Sequence, residues 1–251
     1  MNLSITIIYI AVYNLTMLFS LLGSGEFTPW TEDIDRELVA KSINPQGTVL
    51  IFPTASAPEG DKVFNRWGNM GLEHFKRLGL KAEIVNLKTA KDLDNDGIVD
   101  QINQASLVYF SGGNPAYLSK LFSGSKFWES LLKAVQGGVS FAGCSAGANM
   151  LGARVFDNTV NELSEKLLAT KGLGLYQTAV FCPHWDAMDK YMPGSTQFMI
   201  DSFEDYKMVG IDEDTAMVGD GINFKVHGKG QVQLLEMFTT QAYKPGQSLV
   251  I

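Results

Sequence analysis

The sequence predicts an α/β fold: a three-layer sandwich around a mostly parallel sheet, with a small antiparallel β extension near the C-terminus. Three observations predict it. Short apolar runs bounded by glycine recur along the chain and read as strands buried on both faces. Between them lie segments with apolar residues at helical spacing, and this strand-helix alternation is the pattern of a parallel sheet. With 251 residues, 45% of them hydrophobic and 19% charged, the chain is globular and fits one large α/β domain.

Met1 to Leu22 is largely apolar, yet no Lys or Arg precedes the run and no small-residue cleavage site closes it, so it makes a poor secretory signal. Asn2, Ser4, Asn14 and Thr16 interrupt it, which also argues against a membrane span. Residues 1–16 are therefore expected to be an upstream extension, with Met17 as the functional start and residues 17–251 as a single domain.

The first strand, Leu18 to Leu22, runs into the glycine loop Gly23-Ser24-Gly25-Glu26-Phe27, which in a doubly wound sheet lies at the ligand-binding carboxyl edge. A short helix over Ile34 to Ala40 and a buried strand over Gly47 to Phe52 follow. Asp61 to Leu78 carries Val63, Trp67, Met70, Leu72, Phe75 and Leu78 at roughly helical spacing, with His74 as a surface or satisfied histidine. Gly79 ends that helix and Ala82 to Leu87 supplies the next strand. Asp92 to Asp100 resembles the first half of a calcium loop, but Asn103 stands at the twelfth position where a bidentate Glu is usual. The alternative is an acidic turn capping a helix from Ile98 to Gln104.

Ser106 to Phe110 is another apolar strand, stopping at Ser111-Gly112-Gly113-Asn114-Pro115. Two glycines let this backbone bend so that an amide faces a neighbouring pocket, and Pro115 suits the first turn of a helix reaching Phe122. A helix over Lys126 to Gln136 then leads to the centre of the chain. There, the buried strand Val139 to Ala142 meets a helix opening at Ala146, with Gly143-Cys144-Ser145-Ala146-Gly147 between them. A Gly-x-Ser-x-Gly turn lifts the Ser145 hydroxyl clear of the sheet and aims the Ala146 amide at whatever that hydroxyl attacks. If the Gly-Gly loop lies alongside, the Gly113 amide is the second oxyanion donor, and Gly112 and Asn114 are the expected substrate contacts.

Asp157 to Leu175 is polar and turn-rich. The strand Thr178 to Cys182 then delivers Pro183-His184-Trp185-Asp186 at its carboxyl end, which makes His184 the expected general base. His227 falls in a polar hairpin-like stretch and is expected to be exposed. A long amphipathic helix is expected over Met188 to Glu204. Short strands over Met208 to Asp212, Thr215 to Val218, Ile222 to Val226 and Gln231 to Leu235 are expected to extend the sheet and form a small antiparallel flap.

A net charge of −7 disfavours nucleic acid and anionic membrane as partners, since both need a basic surface. Only Cys144 and Cys182 are present, so no disulfide framework exists and a cytoplasmic location is expected.

Four features, in this order, carry a family resemblance: Phe110-Ser111-Gly112-Gly113-Asn114, Gly143 to Asn149, Pro183-His184, and Gly210-Ile211-Asp212-Glu213-Asp214-Thr215-Ala216. Together they make the chain similar to the serine peptidase family of dipeptidase E (aspartyl dipeptidase) and cyanophycinase, whose fold is that of the class I glutamine amidotransferases. The resemblance implies a hydrolase of short peptides with Ser145 as nucleophile, His184 as base, and the amides of Gly113 and Ala146 as oxyanion hole. The order Ser, acid, His would put the third member between residues 145 and 184. Glu162 has that position, with Asp157 and Glu165 as alternates. No cofactor and no metal is implied, and the expected partner is a small peptide substrate, for a chain acting alone or as a homodimer.

There are departures. Cyanophycinases carry Gln in the Gly-Gly loop where this chain has Asn114-Pro115, which favours the dipeptidase-like side over an isopeptide hydrolase. An N-terminal aspartate in the substrate calls for a cation, yet Arg36, Arg66, Arg77 and Arg154 all lie outside the motifs that form the pocket. A non-catalytic binding member of the fold is the alternative from another class.

Overall fold

The computed structural model describes residues 17–236 and 239–251, so the extension expected at residues 1–16 lies outside the described residues. In chain order the elements begin β1 (Phe19–Leu22), α1 (Glu32–Lys41), β2 (Val49–Phe52), α2 (Asp61–Arg77), β3 (Ala82–Ile84), α3 (Asp96–Gln104) and β4 (Leu107–Phe110). Next come α4 (Pro115–Phe122), α5 (Lys126–Gln136), β5 (Ser140–Cys144), α6 (Ala146–Asn149), β6 (Arg154–Val155), β7 (Thr170–Lys171), β8 (Ala179–Pro183), α7 (Met188–Tyr191) and α8 (Ser195–Ser202). The chain closes with β9 (Lys207–Ile211), β10 (Thr215–Gly219), β11 (Asn223–Gly228), β12 (Val232–Glu236), β13 (Thr239–Tyr243) and β14 (Ser248–Val250).

The main sheet has the order β14-β11-β10-β1-β5-β4-β2-β3. Its run from β1 to β3 is parallel throughout, whereas β10, β11 and β14 join antiparallel beyond β1. Strand side chains alternate between faces. Val49 and Ile51 therefore enter one core with Ile34 and Leu38 of α1 and Phe75 of α2, while Leu50 and Phe52 enter the other with Ile102, Phe122, Phe127 and Leu131. This is the predicted three-layer α/β arrangement. The second core is rich in rings: Phe52 stacks on Phe110 at 4.6 Å and Phe110 on Phe141 at 5.7 Å. Such pairs add about 0.5–1.5 kcal/mol each beyond their burial.

Two expectations about the tail change. Its strands do not all extend the main sheet: β9 and β12 pair with each other and with β8 and β13 in a separate sheet ordered β13-β12-β9-β8. Nor is Met188 to Glu204 one helix. Pro193 supplies no amide donor and Gly194 adopts φ 84°, so the chain breaks between α7 and α8. No helix among the described residues is long and apolar enough to cross a membrane.

The acidic stretch after β3 takes the capping form. Asp92 accepts the amides of Lys88 and Thr89 and the Thr89 hydroxyl, which holds its carboxyl below the usual range, and the Asn95 side chain caps α3 through the Gly97 amide. Among the described residues no group of three or more His, Cys, Asp and Glu is placed to hold a metal ion.

Candidate active site

Because β5 ends at Cys144 and α6 begins at Ala146, Ser145 occupies the bend alone, at φ 51° and ψ −108°. The flanking glycines make that bend feasible. A Cβ on Gly143 would sit 2.4 Å from the Gly147 carbonyl oxygen, and one on Gly147 would sit 2.6 Å from that of Phe110. Across the bend lies the loop after β4, where Gly113 is held by φ 144° and by the Asn114 amide donating to the Ala55 carbonyl at 2.8 Å. The amides of Gly113 and Ala146 have no acceptor among the described residues.

His184 reaches Ser145 from the other sheet. Strands β8 and β9 run parallel, with Pro183 opposite Ile211, so His184 and the turn Asp212-Glu213-Asp214 leave the same edge side by side. The imidazole Nε2 lies 3.0 Å from Ser145 Oγ and Nδ1 lies 2.9 Å from Glu213 Oε1. Tyr191 donates its hydroxyl to that same carboxylate oxygen at 2.8 Å and sets its ring edge-on to the imidazole, 5.8 Å between centroids. The Glu213 amide donates to Asp186 at 2.7 Å, and the Asp214 amide donates to the Ser24 hydroxyl at 3.1 Å. His184 and then Tyr191, both hydrogen-bonded to Glu213, hold its carboxyl below the usual glutamate range despite partial burial. It is therefore a carboxylate at neutral pH.

Backbone strain marks the same place. The non-glycine residues with positive φ among those described are Phe27, Ser145, His184 and Asp214. Two of them carry the facing side chains and the other two directly follow Glu26 and Glu213. Each such conformation costs roughly 1–3 kcal/mol and persists only where the surroundings enforce it.

The acid expected between residues 145 and 184 is corrected. Glu162 is exposed, and its carboxylate accepts a 3.4 Å bond from the Ser164 hydroxyl; Glu165 is exposed as well. Asp157 is turned the other way, onto Asn114 Nδ2, the Thr159 hydroxyl and amide, and Lys120 Nζ at 3.1 Å. Partial burial works to raise its pKa, but these bonds outweigh it and bring the group to about 2. The carboxylate against His184 is Glu213, inside the Gly210 to Ala216 motif quoted above for the resemblance. Its signal was an acidic turn at the end of a buried strand, the same kind of position that singled out His184.

The two residues expected to contact substrate, Gly112 and Asn114, also make hydrogen bonds of their own. Gly112 donates its amide to Glu26, and Asn114 caps α4 through the Tyr117 amide while binding Asp157. The other two histidines lie apart: His74 is fully buried against Asp35 at 2.8 Å, and His227 is half-buried in β11 opposite Ala216. The thiol of Cys144 is pushed well up by burial and by the neighbouring Glu26 carboxylate, so it remains protonated.

The sequence model of Peptidase family S51 matches residues 19–227, a span that holds Gly113, Ser145, His184 and Glu213. The chain belongs to this family. It is thus a hydrolase of the peptidase class. Among curated relatives it is 24% identical over 223 residues to a cyanophycinase of Nostoc sp., covering 86% of this chain and 72% of the relative. It is 26% identical over 184 residues to the uncharacterized peptidase YgaJ of Bacillus subtilis, covering 72% of this chain and 74% of that protein. Among solved structures, a peptidase from an acI-B1 Actinobacterium superposes with a TM-score of 0.85 at 29% identity, over 94% of this chain and 98% of the other.

Proposed function

We propose that this S51 member is a serine-type peptidase of short peptides in which Ser145 attacks, His184 moves the proton and Glu213 orients the imidazole. The observation that carries the reading is the unbroken relay from Ser145 Oγ through both ring nitrogens of His184 to Glu213. With Glu213 ionised, Nδ1 carries the proton and donates to it, which leaves Nε2 free to accept the serine proton. As Oγ bonds to the scissile carbonyl carbon, the proton passes to Nε2 and the carbonyl oxygen becomes an oxyanion. The amides of Gly113 and Ala146 are its donors, each with no competing acceptor among the described residues. His184 then returns the proton to the leaving amine, and water releases the acyl group by the same route in reverse.

A dipeptide-like substrate, including one with an N-terminal aspartate, is supported by the resemblance. Three of the four arginines are engaged elsewhere: Arg36 donates to the Leu78 carbonyl, Arg66 lies over Trp67, and Arg77 sits beside Glu32 and His74. The match to a cyanophycinase favours a second reading, an isopeptide hydrolase. The setting is taken to be cytoplasmic, with residues 17–251 as one catalytic domain and neither nucleic acid nor membrane as partner. A serine-directed fluorophosphonate probe tests the chemistry: wild type is labelled and Ser145→Ala is not. Equal labelling of both would leave a non-catalytic member of the fold. A dipeptide panel that includes β-linked aspartyl peptides then separates the two substrate readings.

A further inference from the structure

Glu26 is a buried carboxylate, 5% exposed, that takes no part in the relay through His184. It sits in the loop after β1, where Gly25 at φ 79° and Phe27 at φ 63° turn the backbone twice and point the side chain inward. Phe27 anchors that bend, its ring 4.7 Å from Tyr109 and 6.1 Å from Phe75. Of the two carboxylate oxygens, Oε1 accepts the Gly112 amide at 3.0 Å and Oε2 accepts the Cys144 thiol at 2.9 Å. Gly112 directly precedes one expected oxyanion donor, and Cys144 directly precedes the nucleophile. The three parts are also packed together: a Cβ placed on Gly112 would touch Glu26 Oε1 and Ser145 Cβ, each at 3.4 Å.

The geometry points to Glu26 as a positioning residue that ties the Gly112-Gly113 loop to the Cys144-Ser145 bend and so fixes the width of the oxyanion hole. This rests on the serine-peptidase reading above. No other side chain among the described residues hydrogen-bonds to both segments. Other ties hold the loop from its far side without reaching the bend: the Asn158 side chain donates to the Gly113 carbonyl, the Asn114 side chain donates to Asp157, and the Asn114 amide donates to the Ala55 carbonyl. A hole held to width matters more for the tetrahedral intermediate than for the bound substrate, because only the former carries the negative oxygen.

The experiment compares Glu26→Ala and Glu26→Gln with wild type in peptide hydrolysis and in binding of a peptide trifluoromethyl ketone, which forms an oxyanion when Ser145 adds to it. Gln keeps an acceptor for the Gly112 amide. The expected result for Glu26→Ala is a kcat roughly tenfold to a hundredfold lower with KM within about threefold, and a matching loss of ketone affinity. Glu26→Gln should recover most of both. Should Glu26→Ala fail to fold, Glu26→Leu, which keeps the volume and removes both hydrogen bonds, carries the same comparison. Unchanged kcat, or a kcat loss with unchanged ketone affinity, overturns the proposal. If Ser145→Ala hydrolyses peptide as fast as wild type, it is the serine-peptidase reading that has failed.

Discussion

The site joins two regions that differ in construction. Ser145 belongs to the main sheet, at the end of a strand buried on both faces, with Ala142 and Cys144 fully covered. His184 and Glu213 belong to the smaller sheet and keep about a third of their side chains in water, 29% and 34% respectively. In the proposed mechanism one region would supply strained backbone and fixed amide dipoles, and the other proton transfer among groups that solvent can reach. On that reading, preorganised dipoles sit in the rigid layer, where they need not reorganise, and the proton-transfer groups sit in the wetter one.

The sharpest way to break this contrast is to remove the hydroxyl or the imidazole. Ser145→Ala and His184→Ala are each expected to lower kcat by about 10⁴-fold or more, with the double variant little worse than either, as for residues that act as a unit. Steady-state hydrolysis at high enzyme concentration measures it, and near-additive losses would mean the two regions work separately. Next in size is Glu213→Gln, expected to cost roughly 10² to 10⁴-fold through loss of the productive tautomer, whereas Glu162→Gln stays within about twofold. Near wild-type activity of Glu213→Gln together with a large loss in Glu162→Gln would return the acid to the loop after β6.

A third test reads stability. Asp157 has a folded pKa of about 2 against an ordinary 3.8, so its contribution is present above about pH 4 and lost as pH falls towards 2. Asp157→Asn should melt about 2–4 °C below wild type at pH 7, with the gap closing across that window in a thermal melt followed by circular dichroism. The smallest effect is expected from Tyr191→Phe. Tyr191 is 65% exposed, so losing its bond to Glu213 should lower kcat/KM by only about twofold to fivefold. A loss above a hundredfold would show that this open edge is as tightly organised as the bend at Ser145.

How much could be read beforehand follows the same division. Ser145, the Gly-Gly loop and His184 each lie beside a local signature, an apolar strand running into small or turn-forming residues, and such signatures survive without knowledge of the fold. Glu213 does not. Its meeting with His184 depends on β8 and β9 being parallel neighbours in register Pro183 to Ile211, a pairing between distant segments that periodicity cannot report. The chain order Ser, acid, His points to Glu162 instead, on the wrong side of His184 in the sequence. The split of the tail into two sheets was hidden for a similar reason, because β9 and β10 have the same apolar character and part company only through the bend at Asp212 to Asp214. The hydrogen bonds of Asn114 to Tyr117 and Asp157, and of the Gly112 amide to Glu26, likewise join segments that no local pattern connects.

The pairing of β1 has a consequence for biosynthesis. That strand lies between β5 and β10, so its second edge stays open until the antiparallel partner has been translated. A nascent polypeptide that has emerged as far as α7 has Ser145 and His184, but neither the Glu213 carboxylate behind the ring nor the strand that shields β1. In such a chain the relay proposed above would have no acceptor for the imidazole Nδ1 proton.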